Sequence, residues 1–342
     1  MNARLQPCGA TAQTATNKGL KILQFNLQHS SFNFSLLSRY VEENKVDILL
    51  LQDPPKRLKL GSNPMRGFSL FLPSAPRGNA HQSFSVSEGP LTAILARSSL
   101  YMRQIPYEHN RLCGIWISTP KGPVAVLCAY IHCLQAEGLV ALEHLVSETS
   151  AQTSMILIGA DSNGHSSMWG PPGQISNANG ESMEDFIVNH SLVVHNKWPS
   201  PPTFVSECGF TSWIDITLSS PRLAPFISSW RVLADAPLQS DHHALSYTLS
   251  MTTPRVEQHK LDWRSVSWED FRSTLWDILQ SSLDTSAPLQ HPHDIDIFVS
   301  TLSEAFQQAI VQHVPIKKNC HLSNPWWSQK LEELRAKHIR LR

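Results

Sequence analysis

The chain has 342 residues, of which 41% are hydrophobic and only 16% are charged, so it can bury a sizeable core in one large domain with additional material, or in two domains. Lysine plus arginine and aspartate plus glutamate each total 28, which gives a formal net charge of zero. This balance excludes attraction of the whole chain to nucleic acid or to an anionic membrane, so any DNA-binding surface must be local.

The N-terminal segment, residues 1–19, is predicted to be a disordered leader. It is polar and lacks the apolar core of a secretory signal peptide. No apolar run in the chain approaches the roughly 20 residues of a membrane-spanning helix. The six cysteines form no Cys-x-x-Cys pair, which favours reduced thiols in an intracellular protein without a membrane partner.

Residues 20–250 are predicted to form one domain, because short apolar runs alternate there with polar turns. Their pattern predicts strands at Lys21–Leu27, Asp47–Leu51, Phe68–Leu72, Leu91–Ala96, Gly114–Ser118, Val124–Ile131, Met155–Ile158, Ile214–Leu218, Trp230–Leu233 and Leu245–Leu249. Helical spacing predicts helices at Phe34–Glu43, Ala136–Thr149 and Glu181–His190. Many strands with interspersed helices favour a layered α/β (α+β) domain in which helices cover two sheets.

Residues 251–342 are predicted to form a helical extension. Asp294–Val314 has a clear 3.6-residue apolar pattern, and tryptophans at 263, 268 and 276 indicate another helix. The residues from Lys317 onward are mainly basic, as on a solvated helix face. The chain stops inside a helix-like pattern without a capping residue, so we expect it to be part of something longer.

Two polar clusters adjoin apolar strands. Gly159-Ala160-Asp161-Ser162-Asn163-Gly164-His165 follows one apolar run, and Ser240-Asp241-His242 precedes another. Acids, an amide and an imidazole at strand ends are what a metal-assisted phosphodiester hydrolase needs, although Asp and Asn are also common in ordinary turns. Asp161 and Asn163 are two apart, so on extended backbone both side chains would face one phosphate.

Two further polar residues end the first apolar strands. Magnesium prefers oxygen ligands, so one or two carboxylates such as Asp53 are enough to hold it. A turn acid before Pro54-Pro55 is the alternative interpretation. The amide of Asn26 can hold a phosphate oxygen or orient an imidazole, and a hydrogen bond at a strand edge is its alternative.

An acid inside an apolar strand predicts a partner for it. Asp215 would be costly to bury unpaired, and an imidazole that gains orientation and basicity from a carboxylate is the natural partner. His242 supplies that imidazole. In a turn, the adjacent Asp241 and His242 can both reach one site. Tyr130 can donate its hydroxyl to phosphate, or it can be a tyrosine at the edge of the core.

Seven short segments, in the order in which they follow along the chain, resemble the endonuclease/exonuclease/phosphatase family, whose fold is that of deoxyribonuclease I. The segments are LQFN, LLLQDP, AYIH, GADSNGHSSMWG, PPTF, SWIDITL and SDHHAL, between about Leu20 and Leu249. The form GADSNGHSSMWGPP is most similar to endonucleases of non-LTR (LINE-type) retrotransposons. NPWW, Asn324–Trp327, resembles the linker before the reverse transcriptase of those elements, so a truncated element or an isolated endonuclease portion is expected.

The resemblance implies a four-layer DNase I-like sandwich of two packed sheets flanked by helices. It implies magnesium (or manganese) near Asp53, with Asp241 helping, and double-stranded DNA as the substrate. It also implies a role for each of the other residues. Asp161 would activate water, Asn163 would hold the phosphate, and Asp215 and His242 would form the acid–imidazole pair. Asn26 and Tyr130 would contact phosphate oxygens, Ser240 would support the His loop, Thr203 would line the DNA groove, and His165 would also bind substrate.

The hypothesis that follows is a magnesium-dependent DNA-nicking endonuclease. It would act in the nucleus and expose a 3′-hydroxyl that primes reverse transcription by the polymerase portion of the same element. The family usually has Glu where this chain has Asp53, which is one methylene shorter and can reduce activity. Two alternatives stay open, a catalytically impaired remnant that binds nucleic acid and a phosphatase of the same fold acting on inositol phosphates or lipids.

Overall fold

A computed structural model describes residues 19–56, 58, 64–74, 89–132, 137–254, 261–282 and 292–315. The chain divides into two compact units, residues 1–257 and 258–342. The leader up to residue 18, the NPWW segment and the basic tail lie outside the described residues. Within the ranges given above, no helix combines the length and the apolar character that crossing a membrane requires.

The first unit contains fourteen strands and three α-helices among its described residues. The strands are β1 (Leu20–Asn26), β2 (Ile48–Gln52), β3 (Phe68–Phe71), β4 (Thr92–Arg97), β5 (Met102–Ile105), β6 (Leu112–Ile117), β7 (Val124–Tyr130), β8 (Ile156–Asp161), β9 (Val193–Val194), β10 (Phe204–Val205), β11 (Thr211–Ser212), β12 (Asp215–Ser219), β13 (Ile227–Leu233) and β14 (Ala244–Leu249). The helices are α1 (Ser31–Asn44), α2 (Glu137–Ser150) and α3 (Ala178–Asn189), with a short 3₁₀ helix at Ala224–Phe226.

Twelve of these strands form two six-stranded mixed sheets, ordered β13-β14-β1-β2-β4-β3 and β5-β6-β7-β8-β12-β9. Apolar side chains of both sheets share one core, in which Ile22 and Leu50 of the first sheet join Val126 and Leu157 of the second. Because alternate residues of a strand face opposite sides, the other face of each sheet is also apolar and needs a cover. Helices supply that cover.

Helix α1 covers the first sheet, where Leu37 belongs to the same apolar cluster as Leu23 and Leu49. Helices α2 and α3 cover the second sheet through residues such as Leu145 and Phe186. The result is a helix–sheet–sheet–helix sandwich, which confirms the predicted four-layer fold. Every predicted strand and helix of this unit is present, with ends shifted by a few residues.

Four short strands were not predicted. Strands β9, β10 and β11 have two residues each, which is too short to show a period of two. Strand β5 lies at the edge of its sheet, and its sequence, MRQI, places Arg103 and Gln104 in the middle. An edge strand can expose such polar residues, so no apolar run marks it.

Strand register gathers the polar strand ends at one edge of the sandwich. Parallel pairing of β1 with β2 aligns Asn26 with Gln52, next to Asp53. Parallel pairing of β7 with β8 aligns Tyr130 with Asp161, and antiparallel β12 aligns Asp215 with the same residue. Residues that are far apart in the sequence therefore meet where these strands end.

A polar layer joins the two sheets directly below this edge. Gln24 Nε2 donates to the Ala160 carbonyl at 3.0 Å, and Gln52 Nε2 donates to the Gly159 carbonyl at 3.4 Å. Gly159 allows the sheets to approach, because a Cβ placed there would lie 2.6 Å from Leu50 Cδ1 and 2.8 Å from Gln24 Oε1. The floor of the site thus depends on a glycine and two buried amides.

Gly159→Ala is expected to lower the free energy of unfolding by about 1–3 kcal/mol, because the added methyl group overpacks the space between the sheets. Urea unfolding followed by tryptophan fluorescence measures the change. Gly138→Ala in α2 is the matched control, since its Cβ would meet no atom closer than 3.5 Å and alanine favours a helix. Equal stability of the two variants would contradict this account of Gly159.

The second unit contains α4 (Trp268–Ser282) and α5 (Pro292–His313). The apolar pattern predicted at Asp294–Val314 corresponds to α5, and the tryptophan-rich helix corresponds to α4. Phe271 and Ala309 join the two helices in a small apolar cluster. Among the described residues, this unit has fewer buried apolar side chains than the sandwich.

Candidate active site

A buried acid–imidazole pair lies at the gathered strand ends. Nδ1 of His242 is 2.9 Å from Oδ2 of Asp215, and both side chains are buried. An ionised carboxylate only accepts hydrogen bonds, so Nδ1 carries the proton. The other ring nitrogen, Nε2, faces Oδ2 of Asp161 at 3.9 Å. The pair predicted from the sequence is present, and it points at the predicted base.

The charges of this cluster shift its protonation equilibria. Burial alone would lower the pKa of His242, but the carboxylates of Asp215, Asp161 and Asp53 outweigh burial and raise it to about 9. Burial and the negative charge of Asp215 raise the pKa of Asp161 to about 7. The ring is therefore an imidazolium at neutral pH, and Asp161 is a stronger base than an ordinary carboxylate.

Asn26 links the carboxylates of two segments. Its Nδ2 donates to Oδ2 of Asp161 at 2.9 Å and lies 3.5 Å from Oδ2 of Asp53. Its Oδ1 accepts from the backbone N–H of Gln28 at 2.9 Å. The amide contacts acids in this structure, whereas the sequence suggested an imidazole or a phosphate as its partner.

Asp53 follows β2 with a left-handed backbone (φ 42°), and its N–H donates to the Leu91 carbonyl at 3.0 Å. Burial raises the pKa of Asp53, and the opposing effects of His29 and the Asn26 hydrogen bond only partly offset it. A partly buried carboxylate beside further acids is a suitable ligand for a hard cation, since the cation supplies the missing positive charge.

The described residues also contain one group of three close metal-type ligands, Asp161, Asp215 and His242, within 4.8 Å of one another. Asp215 and His242 already bind each other, and Asp161 accepts from Asn26. These atoms are committed to the acid–imidazole arrangement. The donor chemistry therefore fits a cation better at Asp53 than within this group.

Asp241 lies at the rim of the site and binds a residue that sequence reasoning missed. Its Oδ2 accepts from Gln28 Nε2 at 2.9 Å, and its N–H donates to Gln28 Oε1 at 3.2 Å. Gln28 lies beyond the end of β1 with a left-handed backbone (φ 50°), so the strand period of two does not indicate it. Ser240 Oγ donates to the Asn26 carbonyl at 2.9 Å and accepts from the His242 N–H at 3.2 Å. These contacts connect the His loop to the end of β1.

Comparisons with known proteins show what this chain is similar to. A family model described as endonuclease-reverse transcriptase matches residues 124–246, which include Asp161, Asp215 and His242. The resemblance to the endonuclease/exonuclease/phosphatase family is confirmed. A search of curated proteins finds no match to the chain.

Several solved structures share the fold of this chain. The endonuclease domain of TRAS1, a telomere-specific non-LTR retrotransposon, is 20% identical with a TM-score of 0.55, over 68% of this chain and 98% of that chain. The AP endonuclease LMAP from Leishmania major is 16% identical with a TM-score of 0.52, over 74% and 97%. The 3′-5′ exonuclease NExo from Neisseria meningitidis is 17% identical with a TM-score of 0.50, over 67% and 98%.

The structure corrects the prediction made for Thr203 by analogy with the endonuclease/exonuclease/phosphatase family. Its side chain is fully buried, so it cannot line a DNA groove. Its Oγ1 accepts from the backbone N–H groups of Ile214 and Asp215 at 3.0 and 3.1 Å. Thr203 therefore positions the start of β12, and with it the Asp215 carboxylate.

Thr203→Val is expected to lower the free energy of unfolding by about 1–3 kcal/mol, because two buried N–H groups lose their acceptor. Thr203→Ser keeps the hydroxyl and is the matched control. Chemical unfolding of both variants measures the difference. If valine is tolerated as well as serine, the hydroxyl does not hold β12.

The structure also corrects the local geometry predicted for Asn163. Strand β8 ends at Asp161, and Asn163 has a left-handed backbone (φ 46°), so the two residues do not share one extended strand. Oδ1 of Asp161 accepts from the Asn163 N–H at 3.2 Å and turns the chain. Nδ2 of Asn163 donates to the Ile131 carbonyl at 2.9 Å. The turn keeps Asn163 beside Asp161 but fixes its side chain on the end of β7.

The last two predicted residues lie on neighbouring segments. Tyr130 is half-buried at the end of β7 and aligned with Asp161. The His165 N–H donates to the Asn177 side chain at 2.9 Å, and its ring lies 6.3 Å from the ring of Phe210. His165 thus lies between the start of α3 and the loop that joins β10 to β11.

That same hairpin contributes Phe204, which the sequence analysis did not single out. Its ring packs edge-on against the His242 ring with centroids 5.0 Å apart, and the Val205 N–H donates to the Asp241 carbonyl at 2.7 Å. The apolar ring keeps water away from one face of the imidazole. Phe204 is the last residue of the PPTF segment, one of the seven segments that carry the family resemblance, so this segment could have indicated it.

Proposed function

We propose that this chain is a metal-dependent endonuclease that nicks double-stranded DNA and leaves a 3′-hydroxyl. One observation carries the proposal. The Asp161 carboxylate lies between the Asp215–His242 pair and the Asn26 amide, which also reaches Asp53. A base, a cationic ring and a second carboxylate then face one position. The family match over residues 124–246 supports nucleic acid as the substrate.

Asp161 acts as the general base in this proposal. Its raised pKa, about 7, suits proton removal near neutral pH. The carboxylate takes a proton from a water molecule, and the water oxygen forms a bond to phosphorus. The bond from phosphorus to the 3′-oxygen breaks, and that oxygen leaves with the electron pair and takes a proton from solvent. The products are a 3′-hydroxyl and a 5′-phosphate.

His242 stabilises the negative charge of the reacting phosphate. Its pKa of about 9 keeps it an imidazolium, and Asp215 holds its orientation through Nδ1. A preorganised cation in a buried site stabilises a developing charge more than water does. Asn163, Tyr130, Ser240 and His165 would complete the phosphate and DNA contacts.

Asp53, with Asp241 helping, would hold the divalent cation, Mg²⁺ or Mn²⁺. When bound, the cation supplies Lewis-acid stabilisation of the phosphate. Asp53 replaces the longer Glu of the family, which is expected to reduce the activity, since a misplacement of about 1 Å can cost roughly 10²-fold.

The biological setting proposed for the nick is target-primed reverse transcription of a non-LTR retrotransposon. The description of the matching family model, endonuclease-reverse transcriptase, supports this setting. Residues 251–342 would link the nuclease to a reverse transcriptase, which would use the new 3′-hydroxyl as its primer. The site of action would then be the nucleus.

Conversion of supercoiled plasmid to open circles tests the proposal. The purified chain with Mg²⁺ is expected to nick the plasmid, and the nick should prime a DNA polymerase that lacks exonuclease activity. Asp185→Asn, on the exposed face of α3, is the control and should nick normally. Metal-independent binding without nicking would indicate a nucleic-acid-binding remnant. Faster turnover of inositol phosphates or sphingomyelin than of plasmid would indicate a phosphatase.

Asp53→Asn is expected to raise the Mg²⁺ concentration for half-maximal nicking by about tenfold or more, because a second-shell change alone costs metal affinity about 10–100-fold. A Mg²⁺ titration of the nicking rate measures this change. Asp235→Asn, on an exposed turn of the same unit, is the control. An unchanged Mg²⁺ requirement in Asp53→Asn would remove Asp53 from the cation site.

A further inference from the structure

His29 stands beside Asp53 in an orientation that neither the family motifs nor the proposed mechanism uses. Its Nε2 lies 3.7 Å from Oδ1 of Asp53, and its side chain is 36% exposed. Its Nδ1 lies 3.0 Å from the carbonyl oxygen of Pro54. A carbonyl only accepts, so Nδ1 carries the hydrogen and donates it. In the neutral ring, Nε2 therefore keeps its lone pair and presents it on the side of the Asp53 carboxylate.

The hydrogen bond from Nδ1 to a carbonyl is a usual feature of histidines that bind a metal through Nε2. Metal-binding histidines usually donate their second ring N–H to a carbonyl or a carboxylate, which fixes the tautomer. The separation of 3.7 Å between Nε2 and Oδ1 is too long for a hydrogen bond. The two atoms are therefore not hydrogen-bonded to each other, and both side chains are partly exposed, His29 by 36% and Asp53 by 16%.

The backbone holds His29 in place at a conformational cost. Gln28, His29 and Asp53 have φ angles of 50°, 56° and 42°, a left-handed region that non-glycine residues seldom adopt. The His29 N–H donates to the Asp53 carbonyl at 2.8 Å, so the two strained residues support each other. Strain of this kind persists where surrounding contacts enforce it, and it is concentrated at functional sites.

We propose that His29 Nε2 is a protein ligand of the divalent cation together with Asp53, and that this nitrogen makes the site prefer Mn²⁺ to Mg²⁺. The inference rests on the cation site of the proposed function and adds its ligand chemistry. Mg²⁺ takes oxygen ligands and keeps several waters. Mn²⁺ also suits oxygen ligands, but it belongs to the first-row metals that bind at mixed nitrogen and oxygen sites. The shorter Asp53 then has a partner from the end of β1 that shares the cation.

Pulsed electron paramagnetic resonance of Mn²⁺ bound to the metal-free full chain tests the inference without any substrate. A coordinated imidazole gives a nitrogen modulation of the Mn²⁺ signal, which is expected in the unmodified chain. His29→Gln is expected to lose that modulation. It should also weaken Mn²⁺ binding by about 10–100-fold, with a much smaller change in Mg²⁺ affinity measured by competition.

His144→Gln is the matched control. His144 also faces a carboxylate, with Nδ1 3.4 Å from Oε1 of Glu148, but on the exposed surface of α2. This variant should keep both the nitrogen modulation and the Mn²⁺ affinity. Glutamine is a suitable replacement at position 29 because Gln28 already adopts the same left-handed backbone.

Three results would overturn the inference: no bound Mn²⁺, bound Mn²⁺ without a nitrogen modulation, or a modulation that survives His29→Gln. The last two would leave His29 as an ion-pair partner of Asp53 only. Mg²⁺-dependent nicking by a chain whose Mn²⁺ lacks a nitrogen ligand would refute the inference and preserve the proposed function. Nitrogen-bound Mn²⁺ in a chain that nicks no DNA would support the inference about His29 and refute the proposed function.

Discussion

Asp161→Asn is expected to lower the nicking rate by about 10²–10⁴-fold, the range that a general base contributes. Asparagine has nearly the same shape, and its amide oxygen can still accept from Asn26, but it cannot take a proton from water. The rate of plasmid nicking at saturating Mg²⁺ measures the loss. Asp185→Asn again serves as the control. A variant that nicks at the normal rate would show that another group activates the water.

The same substitution is expected to stabilise the metal-free protein at high pH. Burial and Asp215 raise the pKa of Asp161 to about 7 in the folded state, against about 3.9 in an unfolded chain. Because the pKa of Asp161 is higher in the folded state, protonation favours folding at a pH below the pKa of the unfolded chain. That contribution to stability is lost as the pH rises through the pKa of the folded state. Above about pH 7 the native protein therefore carries the full cost of a buried charge, which asparagine removes.

Thermal unfolding in the presence of a chelator checks this sign. The melting temperature of Asp161→Asn should exceed that of the unmodified chain at pH 8, and the difference should shrink below pH 5. Gain of stability with loss of function is common when a charged active-site group is replaced. A variant that is less stable than the parent at pH 8 would mean that the attraction between Asp161 and His242 outweighs the burial cost.

Loss of the imidazolium is expected to have the second large effect. His242→Gln should lower nicking by about 10²–10³-fold, the cost of removing one preorganised charge-stabilising donor. The variant also leaves Asp215 buried without its cation, so the free energy of unfolding should fall by about 3–5 kcal/mol. Activity must therefore be normalised to the folded fraction.

A double variant separates these two effects. Asp215→Asn combined with His242→Gln removes the unpaired charge and should recover most of the lost stability without recovering activity. The two substitutions act on one unit, so their kinetic effects should be far from additive. Additive losses of nicking would contradict the assignment of Asp215 and His242 to a single acid–imidazole pair.

The sandwich was predictable because its strands are long apolar runs. Strand register brings Asp53, Asp161 and Asp215 together at one edge of the sandwich. A polar residue next to an apolar run predicts a place at the end of a strand. The Asp215–His242 pair followed from the cost of burying an acid alone. These predictions depend on patterns that a sequence displays directly.

The wrong predictions concern local backbone geometry. Asn163 was placed on extended backbone, but the hydrogen bond from its N–H to the Asp161 side chain turns the chain. Thr203 was given a DNA contact, but its hydroxyl holds the backbone of Ile214 and Asp215. Side-chain-to-backbone hydrogen bonds compete with regular structure, and spacing alone does not reveal which of the two wins.

Two of the residues that sequence reasoning missed lie in one strained loop. Gln28 and His29 follow β1 with left-handed backbones, where glycine would be the expected residue. Nothing in the sequence marks them as site residues, because their positions depend on contacts with Asp241, Pro54 and Asp53. Only the folded chain brings those partners together.

In the proposed function, acids from separate segments form one pocket that binds a divalent cation next to a phosphate. A crystal of the full chain soaked with Mn²⁺ and measured for anomalous scattering tests it most directly. We expect a manganese peak bonded to an Asp53 carboxylate oxygen, on the side of the site that contains Asp161 and His242. A peak found only elsewhere on the surface, or an Asp161 carboxylate remote from the His242 ring, would contradict it.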